Sequence, residues 1–299
     1  MNLPIYEKIL AGQNKPSFKE FELGNKLKKC RGLLKSCVLC QRRCQVNRYD
    51  RKGYCGAGTK MKIFGAHTHV GEEPAIVPSA TIFFSGCTLQ CYYCQNAPES
   101  INPELGMKWD EGEAARWIEK RFSEGCKNVN FVGGEPTPYI YNIVKILQNC
   151  KANIPVLFNS NGYYSKEANE ILKGLIDIYL LDFKYFSDEC AKRLSGVKDY
   201  VKTIKQNLKS ANDDSELLIR MLVLPGHVKC CAKPALEWIR ENIGKNANIN
   251  IMGQYRPCFK AKEFDELLYP LSKEEYSEVI NHAENLGLKN YIYQEIFLM

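Results

Sequence analysis

The chain lacks the long apolar runs that mark a membrane-spanning helix. No stretch of its 299 residues approaches the roughly 18 uninterrupted apolar residues of such a span. Residues 1–8 lack the basic and then apolar pattern of a signal peptide, and neither a short-period repeat nor a low-complexity tract is evident. We therefore expect a cytoplasmic protein with no membrane partner, large enough for one main domain and a small appendage.

Acidic residues are scarce in one part of the chain. Between Lys26 and Lys62 there are twelve Lys and Arg residues but a single acid, Asp50, so this segment carries about +11. A basic segment predicts an acidic partner, such as RNA or an acidic protein. Only Tyr49 and Tyr54 could stack on bases here, so we rank an acidic protein above RNA. A solvated basic surface without a dedicated partner is the third interpretation.

Cysteine, in contrast, is abundant, with fourteen residues. In a chain without a secretion signal this number predicts metal binding rather than disulfides. One group has the spacing Cys37-x2-Cys40-x3-Cys44-x10-Cys55. Four thiolates predict a closed site, either structural zinc or a fully ligated auxiliary iron–sulfur cluster. Four free thiols are the remaining alternative.

A second group lies in one short loop, where Cys87, Cys91 and Cys94 have the spacing C-x3-C-x2-C. A cubane iron–sulfur cluster has four irons, so three thiolates leave one iron without a protein ligand. An open position on a metal is where chemistry takes place. An iron–sulfur electron-transfer protein, the non-enzyme alternative, has no need of an open iron.

From Lys60 onward, short apolar runs alternate with amphipathic helices. Six runs are typical of parallel strands covered on both faces: 83–84, 129–132, 155–158, 178–183, 217–223 and 249–251. Predicted helices include 110–124 and 272–286, each with a capping residue at its start and a glycine after its end. We predict an α/β fold: a partial parallel (β/α)6 barrel over residues 60–299, preceded by a lead-in and a small Cys-rich metal-binding module in residues 1–59.

Glycine and polar residues follow these strands, and the site of a parallel βα barrel lies at the carboxyl ends of its strands. The cysteine loop follows the first strand, Gly133-Gly134-Glu135 the second, and Asn159 to Gly162 the third. Because glycine has no Cβ, the Gly133-Gly134 pair allows a ligand to approach the backbone closely. Cysteines in predicted loops at this end are interpreted as free thiols: Cys230, Cys231 and Cys258.

Three charged residues lie in the apolar strands. Asp182 and Lys184 alternate on the fourth strand and so face the same side, while Arg220 lies inside the fifth. A buried charge is costly unless it is paired or bound to a ligand. These residues therefore predict either internal salt bridges or contacts to a bound ligand.

The cysteine loop, with an aromatic residue (Tyr93) before its third cysteine, resembles the signature of the radical S-adenosylmethionine (SAM) enzymes. The resemblance implies a [4Fe–4S] cluster on Cys87, Cys91 and Cys94, with SAM bound to the open iron. Gly133, Gly134 and Glu135 resemble the GGEP motif of that family, which holds the SAM amino group.

Residues Asn161, Asp182, Lys184 and Arg220 are similar to those of the pyruvate formate-lyase activating enzyme group, in which they bind the SAM carboxylate and ribose. Closer still is an uncharacterised branch related to those activating enzymes, with segments similar to residues 69–74 and 250–257. The chain departs from the activating enzymes in its N-terminal module and in a motif that ends Cys-Gln-Asn instead of Cys-His-Asn.

The resemblance implies a reaction and its partners. A flavodoxin- or ferredoxin-like reductant supplies one electron, SAM is cleaved, and a 5′-deoxyadenosyl radical takes a hydrogen atom from the substrate. Our first hypothesis for the substrate is a protein glycine, as in the activating enzymes. The alternative is radical modification of RNA or another macromolecule.

Overall fold

The computed structural model describes residues 1–293, so positions 294–299 of the predicted second domain lie outside the described residues. Within that range one nine-stranded sheet forms the centre of the molecule. Its strands are β1 (Lys62–His69), β2 (Ser79–Phe84), β3 (Met107–Lys108), β4 (Asn128–Gly133), β5 (Val156–Ser160), β6 (Ile178–Asp182), β7 (Glu216–Leu222), β8 (Asn248–Met252) and β9 (Tyr291–Tyr293). Their order across the sheet is β3-β1-β2-β4-β5-β6-β7-β8-β9.

The predicted parallel barrel strands are confirmed. Strand β2 pairs parallel with β4, and β4 to β9 continue as parallel neighbours in chain order. All residues of β5 are buried, as expected for a strand covered on both faces. Because these strands run in one direction, their carboxyl ends meet at one edge of the sheet, where the site of such a fold lies.

Three further strands were not predicted. Strand β1 pairs antiparallel with β2, and the two-residue β3 pairs antiparallel with β1. Strand β9 adds to β8 in parallel. Most residues of β1 are half-buried or exposed, so the strand lacks the continuous apolar run by which the others were found. By pairing with β2, it covers an edge that would otherwise expose unpaired backbone groups.

Nine α-helices accompany the sheet in the described part of the chain: α1 (Pro4–Leu10), α2 (Leu23–Lys35), α3 (Glu111–Ser123), α4 (Ile140–Asn149), α5 (Lys166–Leu172), α6 (Asp188–Ser195), α7 (Tyr200–Asp214), α8 (Lys233–Asn242) and α9 (Lys273–Asn285). The two predicted caps are present. Asp110 accepts hydrogen bonds from the amides of Gly112 and Glu113, and Ser272 forms a reciprocal capping box with Glu275. Within residues 1–293, no helix is both long and apolar enough to cross a bilayer.

Helix α1 closes the amino-terminal ends of the strands. The Glu216 carboxylate at the start of β7 accepts hydrogen bonds from the backbone amides of Ile5 and Tyr6. Leu3 and Tyr6 are buried in a small apolar cluster with Ile76 and residues of β5, β6 and β7. Apolar side chains therefore pack this end of β5, β6 and β7, and the predicted site lies at the opposite, carboxyl end of the strands. The boundary near residue 59 between the two predicted domains stays a prediction.

Candidate active site

The predicted cluster cysteines lie in the loop after β2 and line one cavity of about 580 Å³. This volume falls within the range of about 300–1,000 Å³ for small-molecule and cofactor sites. The Sγ atoms of Cys87, Cys91 and Cys94 do not all lie within 4.8 Å of one another. Thiolates around a single tetrahedral zinc ion would be about 3.8 Å apart, given a Zn–S bond of about 2.3 Å. The three thiols are therefore less compact than the ligands of a single tetrahedral ion.

Serine hydroxyls contact two of these sulfurs. Ser195, the last residue of α6, donates to Sγ of Cys91 at 2.9 Å, and Oγ of Ser100 lies 3.1 Å from Sγ of Cys94. Burial raises the pKa of the Cys91 thiol, and the nearby Lys184 ammonium opposes that effect. Hydrogen bonds to the sulfurs of an iron–sulfur cluster are among the factors that set its reduction potential.

Gly133 and Gly134 allow the end of β4 to lie against the cysteine loop. Gly133 has a φ of +112°, and a Cβ at this position would lie 2.2 Å from the backbone nitrogen of Phe84. A Cβ on Gly134 would lie 2.4 Å from the carbonyl oxygen of Gly86 and 2.5 Å from that of Ser100. The close approach that the sequence predicted for a ligand is thus also made by the protein's own backbone. Both glycines line the cavity.

Glu135 does not line the cavity. Its side chain is 0% exposed, and its carboxylate accepts hydrogen bonds from the amide and hydroxyl of Thr137, the hydroxyl of Ser160 and the amide of Asn161. Burial raises the pKa of this carboxyl, and the hydrogen bonds from Thr137 and Ser160 oppose the rise. Glu135 therefore ties the segment after β4 to the end of β5, and the cofactor contact predicted for it from the sequence stays a prediction.

Asp182 and Lys184 form an ion pair on the cavity wall. Nζ of Lys184 lies 2.7 Å from Oδ2 of Asp182, and both residues line the cavity beside Cys91. Burial lowers the pKa of Lys184, but Asp182 and Cys91 outweigh this effect, so the net pKa is raised and the side chain is a cation. The salt bridge that the sequence allowed is present, and it also faces the cavity.

Arg220 also pairs with carboxylates inside the barrel. Its guanidinium binds Glu73 through two hydrogen bonds, of 2.7 and 2.6 Å, and also contacts Glu72. Asn250 of β8 donates to Glu73 at 2.8 Å. Burial raises the pKa of Glu73, but Arg220 outweighs that effect and holds the pKa below its ordinary value. All four residues line the cavity, where they form a hydrogen-bonded network of charged and polar groups.

Tyr93, within the cysteine loop, and Asn161, directly after β5, both belong to contacts around the cysteines. The Tyr93 hydroxyl is 2.6 Å from that of Tyr185, which is 2.7 Å from Oγ of Ser195, the group that donates to a cysteine sulfur. Nδ2 of Asn161 lies 3.7 Å from Sγ of Cys87. Both Tyr93 and Asn161 line the cavity, so each is placed to position the loop and to contact a bound group.

Sequence reasoning missed polar residues that reach the cavity or its cysteines from distant segments: Glu72, Glu73, Ser100, Tyr185, Ser195 and Asn250. Glu72, Glu73 and Asn250 carried a visible signal, because they lie in the segments 69–74 and 250–257 that resemble the related branch. The serines and Tyr185 carried none, because their importance comes from the path of the chain around the barrel.

The four N-terminal cysteines line a second, smaller cavity together with Thr88 of the cysteine loop: Cys37, Cys40, Cys44 and Cys55. Arg42 joins the module to that loop, because its Nε donates to the carbonyl oxygen of Thr88 at 2.6 Å. No three of the four Sγ atoms lie within 4.8 Å of one another. Burial raises the pKa of Cys40 to about 12. The fold thus brings all four thiols to one place, beside the other cysteine group.

Several cations of the basic segment have partners within the protein. Arg48 is 3% exposed, and its guanidinium donates to three backbone carbonyls. Lys26 donates to two carbonyls at the carboxyl end of α5, and Arg43 pairs with Glu167. The charge of about +11 in this segment is therefore only partly available to an external partner.

Comparison with known families and proteins gives a consistent set of matches. A family model described as the Radical SAM superfamily matches residues 81–239, more than half of the chain. An uncharacterized protein of Methanocaldococcus jannaschii is 39% identical over 270 residues, covering 88% of this chain and 78% of that protein. The pyruvate formate-lyase-activating enzyme of Clostridium pasteurianum is 29% identical over 177 residues, covering 56% of this chain and 67% of that enzyme.

Among solved structures, SuiB of Streptococcus suis bound to the precursor peptide SuiA is similar to this chain with a TM-score of 0.54. The sequence identity is 16%, and the match covers 70% of this chain and 46% of the SuiB chain. This chain therefore spans about half the length of SuiB. At this level of identity the likeness concerns the fold alone.

Proposed function

The chain belongs to the Radical SAM superfamily, and we propose that the cavity beside Cys87, Cys91 and Cys94 is where it cleaves SAM. The observation that carries this proposal is the set of three thiols, from one loop, on the wall of one cavity. When bound there, a reduced [4Fe–4S] cluster supplies the electron that splits SAM into methionine and a 5′-deoxyadenosyl radical, which takes a hydrogen atom from the substrate.

In this proposal the chain's own residues bind SAM, orient it beside the cysteine loop and enclose the site. Gly133 and Gly134 offer their backbone groups to the amino-acid end of SAM, while Asp182 and Lys184 offer opposite charges to its polar groups. Asn161 and Tyr93 hold the cysteine loop in place around the site. The buried strands that line the cavity limit the access of water, which protects a reactive radical.

For the substrate we infer a glycine of a protein. The support is the relative from Clostridium pasteurianum, which is named as the activating enzyme of pyruvate formate-lyase and is similar to more than half of this chain. Radical modification of RNA is the second candidate, and the basic segment between Lys26 and Lys62 is the observation that favours it. We rank it lower because several of those cations are used within the protein.

For the N-terminal cysteines we propose an auxiliary iron–sulfur cluster instead of zinc. No three of the four Sγ atoms lie within 4.8 Å of one another, whereas all four ligands of one zinc ion would be about 3.8 Å apart. The site adjoins Thr88 of the cysteine loop, so an electron from a flavodoxin- or ferredoxin-like reductant would have a short path inward. Elemental analysis of a Cys87/Cys91/Cys94 triple variant tests this: about four irons per chain are expected, and one zinc per chain would contradict it.

The main test is SAM cleavage by the anaerobically reconstituted full chain with dithionite as the reductant. Wild-type protein should release 5′-deoxyadenosine, and Cys91→Ala should release none above background. The matched control is Cys150→Ala, because Cys150 is a buried cysteine that lies outside both predicted sites. Equal activity of wild type and Cys91→Ala would refute the assignment.

A further inference from the structure

A third group of cysteines lies outside both sites described above. Sγ of Cys190 is 3.9 Å from Sγ of Cys230, which is 3.7 Å from Sγ of Cys231. All three sulfurs lie within 4.8 Å of one another. Cys190 comes from the first turn of α6, whereas the other two come from the π-helical turn Val228–Ala232 after β7. The tertiary fold therefore brings together cysteines that are 40 residues apart in the sequence, and their spacing along the chain does not predict this contact.

The sulfur separations match one metal ion and not a disulfide or a larger cluster. A tetrahedral zinc ion with Zn–S bonds of about 2.3 Å requires sulfurs about 3.8 Å apart, close to the two distances above. A disulfide would need about 2.05 Å. Among the described residues, the cysteines of the two predicted cluster sites do not form such a compact set, so the difference is specific to this group.

The position of Cys190 in its helix favours a thiolate ligand. Cys190 lies in the first turn of α6, where the positive end of the helix dipole stabilises an anion. Turns of π-helix are rare and are frequent at functional sites. Cys231 is buried while Cys230 is exposed, so the group is open to solvent on one side. Within residues 1–293 no additional His, Cys, Asp or Glu belongs to this group, which leaves a fourth position for water or an external ligand.

We propose that Cys190, Cys230 and Cys231 bind one thiophilic divalent cation, with Zn²⁺ as the probe, in a three-thiolate site with one open position. Binding releases the protons of the three thiols. The ion would link α6 to the turn after β7, two segments at the mouth of the barrel. Helix α6 ends in Ser195, the hydroxyl that donates to Cys91, so the site would stiffen a helix that contacts the proposed active site.

The test uses the full chain, anaerobically reconstituted with iron and sulfide and then given one equivalent of Zn²⁺. The rate at which N-ethylmaleimide modifies the exposed Cys230 is followed by peptide mass spectrometry. We expect zinc to slow this modification at least about tenfold in the wild type and to have no such effect in Cys190→Ser. Cys258, which lies outside the group, serves as the internal control and should react at the same rate with and without zinc.

A zinc count on the same samples gives a second measurement. Wild-type protein should retain one zinc ion more than the Cys190→Ser/Cys230→Ser double variant after competition with a chromophoric chelator, whatever zinc is held elsewhere. Equal zinc content and an unprotected Cys230 would overturn the proposal. Formation of a disulfide from Cys190 to Cys230 under mild oxidation, without zinc retention, would also overturn it and identify the group as a redox pair.

Discussion

Replacing Gly134 by alanine should damage the cysteine loop by backbone collision alone. The new Cβ would lie 2.4 Å from the carbonyl oxygen of Gly86 and 2.5 Å from that of Ser100. Both neighbours are backbone atoms, so neither can move away by changing a rotamer. A contact of about 3.2 Å or more requires a shift of roughly 0.8 Å, and overpacking of this kind costs about 1–3 kcal/mol. The Gly86 carbonyl directly precedes Cys87, so the shift should also displace a proposed cluster ligand.

The assay combines urea unfolding of the metal-free protein with iron analysis of the reconstituted protein. Gly134→Ala should lower the free energy of unfolding by about 1–3 kcal/mol and reduce bound iron. The matched control is Gly32→Ala in α2, where a Cβ would meet nothing within 4 Å. The same chemical change should there stabilise the helix by about 0.5–1 kcal/mol, because alanine loses less entropy than glycine.

Comparison of the two glycine variants tests whether the close backbone approach at Gly134 constrains the cysteine loop. If Gly134→Ala is as stable as Gly32→Ala and keeps its full iron content, then the close backbone approach does not constrain the loop. If stability falls but iron binding is unchanged, the collision is real but does not reach Cys87.

The remaining predictions concern single contacts of the cavity. Arg220→Met leaves the Glu73 carboxylate buried without its partner and should lower the free energy of unfolding by about 3–5 kcal/mol near pH 7. Because Arg220 holds the pKa of Glu73 below its ordinary value, this deficit should shrink as the pH falls and Glu73 takes up a proton; a pH-independent deficit in urea titrations would argue against the pair. Ser195→Ala removes the hydrogen bond to Cys91 and should make the cluster's reduction potential more negative in a redox titration, whereas an unchanged potential would contradict a tuning role. Asp182→Ala should weaken SAM binding by about 1.5–3 kcal/mol in equilibrium dialysis, and unchanged affinity would leave Asp182 as a salt-bridge partner only.

Much of the fold could be read from the order of residues. The six parallel strands and the caps at Asp110 and Ser272 were predicted because apolar runs and helix starts are local patterns. The C-x3-C-x2-C spacing is also local, since one short loop carries all three thiols. Strands β1, β3 and β9 could not be predicted in the same way, because they are short or partly exposed and are held by pairing with neighbours.

The roles of polar side chains also separate into those set by a local sequence pattern and those set by tertiary contacts. The sequence by itself determined that Cys87, Cys91 and Cys94 would share a loop after a buried strand, because they are close in the chain. Only the tertiary structure decided that Glu135 is buried in hydrogen bonds to Thr137, Ser160 and Asn161 and that distant thiols meet at Cys190. The physical reason is that the role of a buried charge or thiol depends on the groups that pack against it. Those neighbours come from strands and loops that are far apart in sequence.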